Sequence, residues 1–253
     1  MNFAALVLAG SRPGADPLAG TEGKPHKALI EIEGRSLLER VVIALREAGA
    51  GRVAVSCDHP AVVELATRLG AEVLPTGAGP SESVSLALDS IGTPLIVTTA
   101  DHALLSPNWV RQILRETPAD ADLSLMLAKR EKIEAALPGT RRTYLRFADG
   151  AWSGCNLFFL QTVDARLAVA AWKAVEADRK RPWRIVRKLG LRTFASYAFG
   201  RLTLAQGIAT LGRRLGVEAS LVEAADGRAA IDVDKPADLK DIRALLATRP
   251  THD

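Results

Sequence analysis

"LVLAGSRPGADPLAGTEGKPHKALIEIEG", residues 6–34, is the stretch on which the fold turns. It opens inside an apolar run, Phe3 to Ala9, with the length and composition of a buried strand. A segment rich in Gly, Pro, Ser, Asp and Lys follows and ends in His26-Lys27-Ala28-Leu29. Such a loop buries little apolar surface, and in a compact domain a loop this long is either functional or disordered. Gly10, Gly14, Gly20 and Gly23 let backbone N–H groups approach an anion, and Arg12, Lys24 and Lys27 supply charge. Neither GxxxxGK[ST] nor GxGxxG is present. On composition alone a mobile surface loop fits equally well.

Outward from this loop, apolar strands alternate with amphipathic helices. Residues 36–48 place Leu37, Leu38, Val41, Val42 and Leu45 on one helical face, with Gly49 as the C-cap. Strands are expected at 52–56, 72–74, 95–99 and 122–128, and helices at 61–69, 82–90 and 107–116. This alternation implies a mostly parallel sheet covered on both faces. Ligands of such sheets sit beyond the carboxyl ends of the strands. The opening loop, residues 76–83 and Ala100-Asp101-His102 should therefore converge on one crevice. The second half is less regular: strands at 143–147 and 155–160 around a turn at Asp149-Gly150, a helix at 165–177, strands at 217–222 and 229–233, and a helix at 236–247. No repeat or linker divides the chain, so residues 1–253 are expected to form one domain with a basic helical insertion at about 179–216.

Composition sets bounds. The 253 residues are 48% hydrophobic and 25% charged, enough for a full core on a polar surface. A net charge of +4 is too small by itself to argue for nucleic acid. Cys57 and Cys155 are far apart and the four histidines scattered, which speaks against a disulfide framework or a zinc site. No apolar stretch approaches the roughly 18 residues of a membrane span, and a cytoplasmic protein is the default expectation.

LVLAG, the basic glycine-rich loop and HKALIEIEGRSLLERVV together resemble the opening of the MobA-like nucleotidyltransferases, whose pattern is LAGG, a loop with Arg, K[AP]L, a strand, GRPLL and a helix. Ser11 stands where the family has its second glycine, and the loop before Lys27 is longer. The resemblance implies a three-layer α/β nucleotide-diphospho-sugar transferase fold, Rossmann-like, with a mixed, mostly parallel sheet. It implies nucleotide contacts from Leu8, Ala9, Gly10, Ser11 and Lys24, and catalytic charge stabilisation by Lys27 and Arg12. Gly77 to Val84 is similar to the family segment that packs against the base; Ser83 would reach base or ribose, and Ser81 would cap the next helix. The plain alternative there is a capped helix after a tight loop.

Thr98-Thr99-Ala100-Asp101-His102 ends a buried strand in a carboxylate, which is costly unless solvated, paired or bound to a cation. The resemblance makes Asp101 a Mg2+ ligand. Residues 231–239, IDVDKPADL, are similar to the family's D-x-D-T-P-E-D-L, which implies a second ligand, Asp234 ahead of Asp232. Otherwise Asp234 caps the final helix. Ser153-Gly154-Cys155-Asn156-Leu157-Phe158 is similar to the family's G-G-N-L-F, placing Gly154 and Asn156 beside the acceptor, while Cys155 is read as packing.

The activity implied is transfer of a nucleoside monophosphate from an NTP to a phosphorylated sugar or alcohol, releasing pyrophosphate. A molybdenum-cofactor guanylyltransferase is one alternative. A glycosyltransferase of the same fold is another, although those enzymes carry Asp-x-Asp where this chain has Asp101-His102-Ala103. A non-catalytic nucleotide sensor would be expected to have lost Lys27 or Asp101. The partners expected are thus an NTP and a phosphorylated acceptor, with no nucleic acid. Residues 179–201 hold eight basic and no acidic residues among Trp183, Ile185, Val186, Phe194, Tyr197 and Phe199. That is the composition of a helical subdomain packed on the sheet, its arginines solvated or gripping the acceptor's phosphate, or of a peripheral contact with the inner membrane surface.

Overall fold

The computed structural model describes residues 2–11, 14, 16–140, 142–178 and 190–247. Arg12 and residues 179–189 of the basic stretch therefore lie outside the described residues. Strand β1 (Ala4–Leu8) is central to an eight-stranded sheet that runs through both halves of the chain. On one side of β1 lie β4 (Arg52–Ser56) and then β5 (Glu72–Leu74); on the other lie β6 (Leu95–Thr99), β9 (Gly150–Leu160), β7 (Leu123–Lys129) and β10 (Ala219–Glu223) in turn. All are parallel except β9, which runs against β6, β7 and the short β8 (Leu145–Phe147). The expected mixed, mostly parallel α/β sheet is thus present.

Alternation along β1 explains the layers. Ala5 and Val7 join a core built with α2 (Leu37–Glu47), α3 (Pro60–Arg68), α5 (Pro107–Glu116) and α10 (Pro236–Ala247). Leu6 points the other way, into a core under α4 (Pro80–Ile91) and α7 (Ala165–Asp178). The five apolar residues assigned to one face of α2 are all fully buried. Its N-cap Ser36 accepts from Glu39 N at 3.1 Å. Proline opens α3, α4, α5 and α10, where its missing N–H costs nothing.

Several expectations are corrected. The opening loop contains α1 (Pro17–Thr21), capped by Asp16, and a 3-10 turn, Lys27–Leu29, capped by His26 Nδ1. Beyond it β2 (Glu31–Ile32) and β3 (Arg35–Ser36) form a small hairpin. The cap of α4 is Gly79, not Ser81, because Pro80 takes the first helical position and Ser81 is buried inside the first turn. A helix missed from sequence, α6 (Arg130–Ala136), follows β7. The expected strand 229–233 is absent: Gly227–Ala230 is a 3-10 turn, and extended chain without a ladder partner follows. The described part of the insertion is helical, α8 (Leu191–Ala198) and α9 (Leu204–Leu215).

Candidate active site

β1 pairs β4 on one side and β6 on the other, and from β1 the chain goes on to β4 while from β6 it goes on to β7 on the opposite side, so the carboxyl ends of β1 and β6 are where a ligand of such a sheet is expected. Three loops meet there as expected. A Cβ added at Gly10 would lie 3.1 Å from Thr76 Cγ2, so the loops after β1 and β5 touch. Lys27 crosses to the end of β6 and places its Nζ 2.6 Å from Asp101 Oδ2 and 3.2 Å from Asp234 Oδ1. One ammonium thus joins carboxylates 133 residues apart in sequence (234 − 101), and the two oxygens are no farther apart than those distances allow.

The backbone holds this arrangement. Val233 N donates to Asp101 O at 3.0 Å, tying the C-terminal segment to the end of β6. Asp238 Oδ2 accepts from Asp234 N at 3.1 Å and Lys235 N at 2.9 Å, so the first turn of α10 orients Asp234. Burial pushes the Asp101 carboxyl up, but the Lys27 ammonium more than offsets it, and the carboxyl sits below its ordinary value. Burial likewise opposes charge on Lys27, yet Asp101 and Asp234 hold its pKa above the ordinary value. Both groups are therefore charged at neutral pH.

Asp232 stands apart from this pair. Its carboxylate receives the guanidinium of Arg142 and, at 2.8 Å, Asn156 Nδ2. Arg142 also donates to the Asp232 carbonyl at 2.9 Å and approaches Asp238. Asn156 reaches Asp232 because β9 bulges: the two-residue step Leu125–Leu127 of β7 faces the four-residue step Gly154–Phe158. Asn156 sits in that bulge with φ 48°, a region that asparagine tolerates better than most residues. Gly154 is exposed beside it. Sequence reasoning missed Arg142, which lies in the loop before β8 with no periodicity to mark it. For Asp238 the signal was available, an acidic residue in a helix's first turn after proline.

The other candidates are placed as follows. Leu8 accepts from Ala100 N and Ala9 donates to Ser56 O, fixing the base of the crevice. Ser11 donates through N and Oγ to Asp58 Oδ1 at 2.9 and 2.8 Å. Lys24 pairs with Glu31 at 2.5 Å, away from the carboxylates. Gly77 N donates to Ser83 Oγ at 2.9 Å, and a Cβ at Gly77 would overlap Glu82. Only glycine fits there, and the Ser83 hydroxyl is occupied in shaping the loop. His102 is fully buried, stacked on Trp109, and its pKa is lowered to about 4 by burial. Cys155 is buried, as the packing reading requires, with its thiol pushed up by burial. A cavity of about 810 Å³ lies elsewhere, lined by Val97, Leu125, Phe158, Trp172, Leu211 and neighbours, and touches none of the charged crevice residues.

The sequence pattern of a MobA-like NTP transferase domain matches residues 5–192, most of the chain. The chain belongs to the MobA-like NTP transferase family. A hypothetical transferase from Thermus thermophilus superposes with a TM-score of 0.81 at 33% identity, covering 94% of this chain and 100% of that one. A 3-deoxy-manno-octulosonate cytidylyltransferase from Chelativorans sp. is 27% identical over 89% of this chain and 92% of its own length. Another, from Glaesserella parasuis, is 29% identical over 43% of this chain and 47% of its own length. The chain thus spans about half of the length of that last relative and nearly all of the other. Its fold is the expected nucleotide-diphospho-sugar transferase fold.

Proposed function

We propose that the chain transfers a nucleoside monophosphate from an NTP to a phosphorylated small polar acceptor. The observation that carries this reading is Lys27 bridging Asp101 and Asp234 at the carboxyl edge of the sheet. An acceptor phosphate oxygen attacks the α-phosphorus; the new P–O bond forms as the bond to the β-phosphate breaks, and pyrophosphate leaves with the electron pair. The nucleophile is already an anion, so no general base is required, and His102 beside Asp101 is buried away from solvent. What the site must supply is charge stabilisation and in-line placement. Lys27, charged throughout, would meet the developing charge on the triphosphate, with Arg12 as its partner in this reading. Asn156 and Gly154, on the bulge of β9, would border the acceptor.

The residues present fit Mg2+. Asp101 Oδ1 is buried without a hydrogen-bond partner in ordinary geometry, an unspent hard oxygen beside the second carboxylate of Asp234. Among the described residues no three His, Cys, Asp or Glu side chains gather as a metal cage. Two carboxylates are what magnesium takes from a protein when substrate phosphates complete its shell. Asp101 and Asp234 would hold the ion, which when bound neutralises phosphate charge. Asp232, already committed to Arg142 and Asn156, would orient the acceptor side instead.

The names of the relatives favour CTP and a sugar-type acceptor. Pyrophosphate release with each of four NTPs and Mg2+, against a panel of sugar phosphates, alcohol phosphates and sugar acids, tests the reading. Release that needs both CTP and one phosphorylated acceptor is the expected result; release with a sugar acid alone would replace the phosphate nucleophile. No release with any pair would reject the activity. Contact with a membrane concerns a different part of the molecule.

A further inference from the structure

The charges of this chain are segregated. Residues 179–217 contain ten of its 33 Lys and Arg and none of its 29 Asp and Glu. The remainder then carries 23 basic against 29 acidic residues, so an acidic body bears a strongly basic insertion. In the described part of that insertion, Arg192, Arg201, Arg213 and Arg214 are all exposed. Large apolar groups are exposed as well: Phe199 at 76%, Phe194 at 46% and Tyr197 at 43% in the insertion, and Leu145 at 51% on β8, whose Phe147 meets Tyr197. Phe194 and Tyr197 are three apart on α8 and share a face. Exposed apolar groups within a segment that is rich in positive charge and holds no acidic residue mark a binding surface rather than ordinary solvated surface.

From this we infer that α8 and the turn after it seat the protein on an anionic lipid surface. The chemistry selects the partner. Short amphipathic helices with aromatic side chains and basic neighbours lie in the interfacial layer of a bilayer, rings among the acyl boundary and cations among the headgroups. Single-stranded nucleic acid would also meet charge and rings, but the aliphatic Leu145 offers it neither a stacking face nor a hydrogen bond.

The seat is fixed to the catalytic edge. Tyr197 meets Phe147 of β8 edge-on, with centroids 5.5 Å apart. Ala148 N donates to Leu202 O at 2.9 Å and Leu204 N to Asp149 Oδ1 at 3.0 Å. The β8–β9 hairpin therefore anchors the insertion, and β9, running against β6 and β7, begins at the edge where those strands end. That is the edge from which Asp101 follows β6. Docking through α8 would bring this edge of the sheet to the membrane.

Co-sedimentation of the full chain with vesicles tests this independently of any activity. Vesicles of phosphatidylglycerol mixed with phosphatidylcholine should pellet the protein at low salt and release it at high salt, and phosphatidylcholine alone should not. Arg192→Gln with Arg201→Gln should lower the partition coefficient about thirtyfold, each charge near an anionic leaflet being worth about fivefold. Phe194→Ser with Phe199→Ser should lower it roughly tenfold or more. Both pairs are exposed, so unchanged thermal melts should accompany the loss. Failure of the wild type to pellet with the anionic vesicles overturns the inference. Equal pelleting with phosphatidylcholine does so too, as does wild-type pelleting by both double variants. Retention by single-stranded RNA without vesicle binding would assign the surface to nucleic acid.

Discussion

Replacing Lys27 by Met removes the charge that joins Asp101 to Asp234 while keeping an unbranched side chain. In the wild type the Lys27 and Asp101 side chains are only 16% and 13% exposed. Breaking a buried ion pair by deleting one partner typically costs about 3–5 kcal/mol, because the other charge stays buried without compensation. The residual solvent contact puts the expected loss near the lower end, about 3 kcal/mol at pH 7, measured by urea unfolding. The pH dependence carries more information than the size. In the wild type Asp101 is held below its unfolded pKa of about 3.9, so its contribution is present above that value and is lost as pH falls through the folded pKa. Without Lys27, burial is the dominant influence left, and it raises the carboxyl above the unfolded value. The variant should therefore regain stability relative to wild type as pH falls from 7 towards 5. Adding Asp101→Asn should recover roughly 1–3 kcal/mol over the single variant at pH 7, the size of coupling expected for groups in contact. Turnover of every variant should fall on the order of a hundredfold or more. A pH-independent stability difference together with no coupling in the cycle would refute the pairing argument. Near-wild-type turnover in Lys27→Met would refute the catalytic one.

Two more outcomes are expected. Burial holds the His102 pKa at about 4, below its unfolded value of about 6.5, so the folded state resists protonation and stability should fall as pH drops between those values, by about 3 kcal/mol in all; His102→Gln should flatten that part of the curve, and an unchanged slope would assign it to other groups. A Cβ at Gly227 would stand 2.1 Å from Lys132 O, so Gly227→Ala should shift the 3-10 turn against α6 and cost about 1–3 kcal/mol in a thermal or urea melt, whereas Gly20→Ala, with nothing within 4 Å, should leave stability within about 1 kcal/mol of wild type.

Local pattern alone determined much of this molecule. The period of Leu37, Leu38, Val41, Val42 and Leu45 specifies α2, and the apolar runs 3–9 and 95–99 specify the two central strands, because burial on both faces leaves no other use for continuous apolar residues. Alternation of such elements placed the site at the carboxyl edge, and the resemblance to the MobA-like family is what brought Lys27, Asp101 and Asp234 forward as residues with a common task. What the sequence left undecided depends on partners distant along the chain. The strand expected at 229–233 has the right composition, but Gly227–Ala230 folds as a 3-10 turn and Val233 N is spent on Asp101 O instead of on a ladder. Ser81 lost the cap position to Gly79 because Pro80 starts the helix one residue before it. Asp232 and Asp234, equivalent by alternation, were separated only when the bulge of β9 delivered Asn156 and the loop before β8 delivered Arg142. Side-chain identity follows from sequence, but the partner of a buried charge is whatever the folded chain brings within about 3 Å, and that is a property of tertiary contacts.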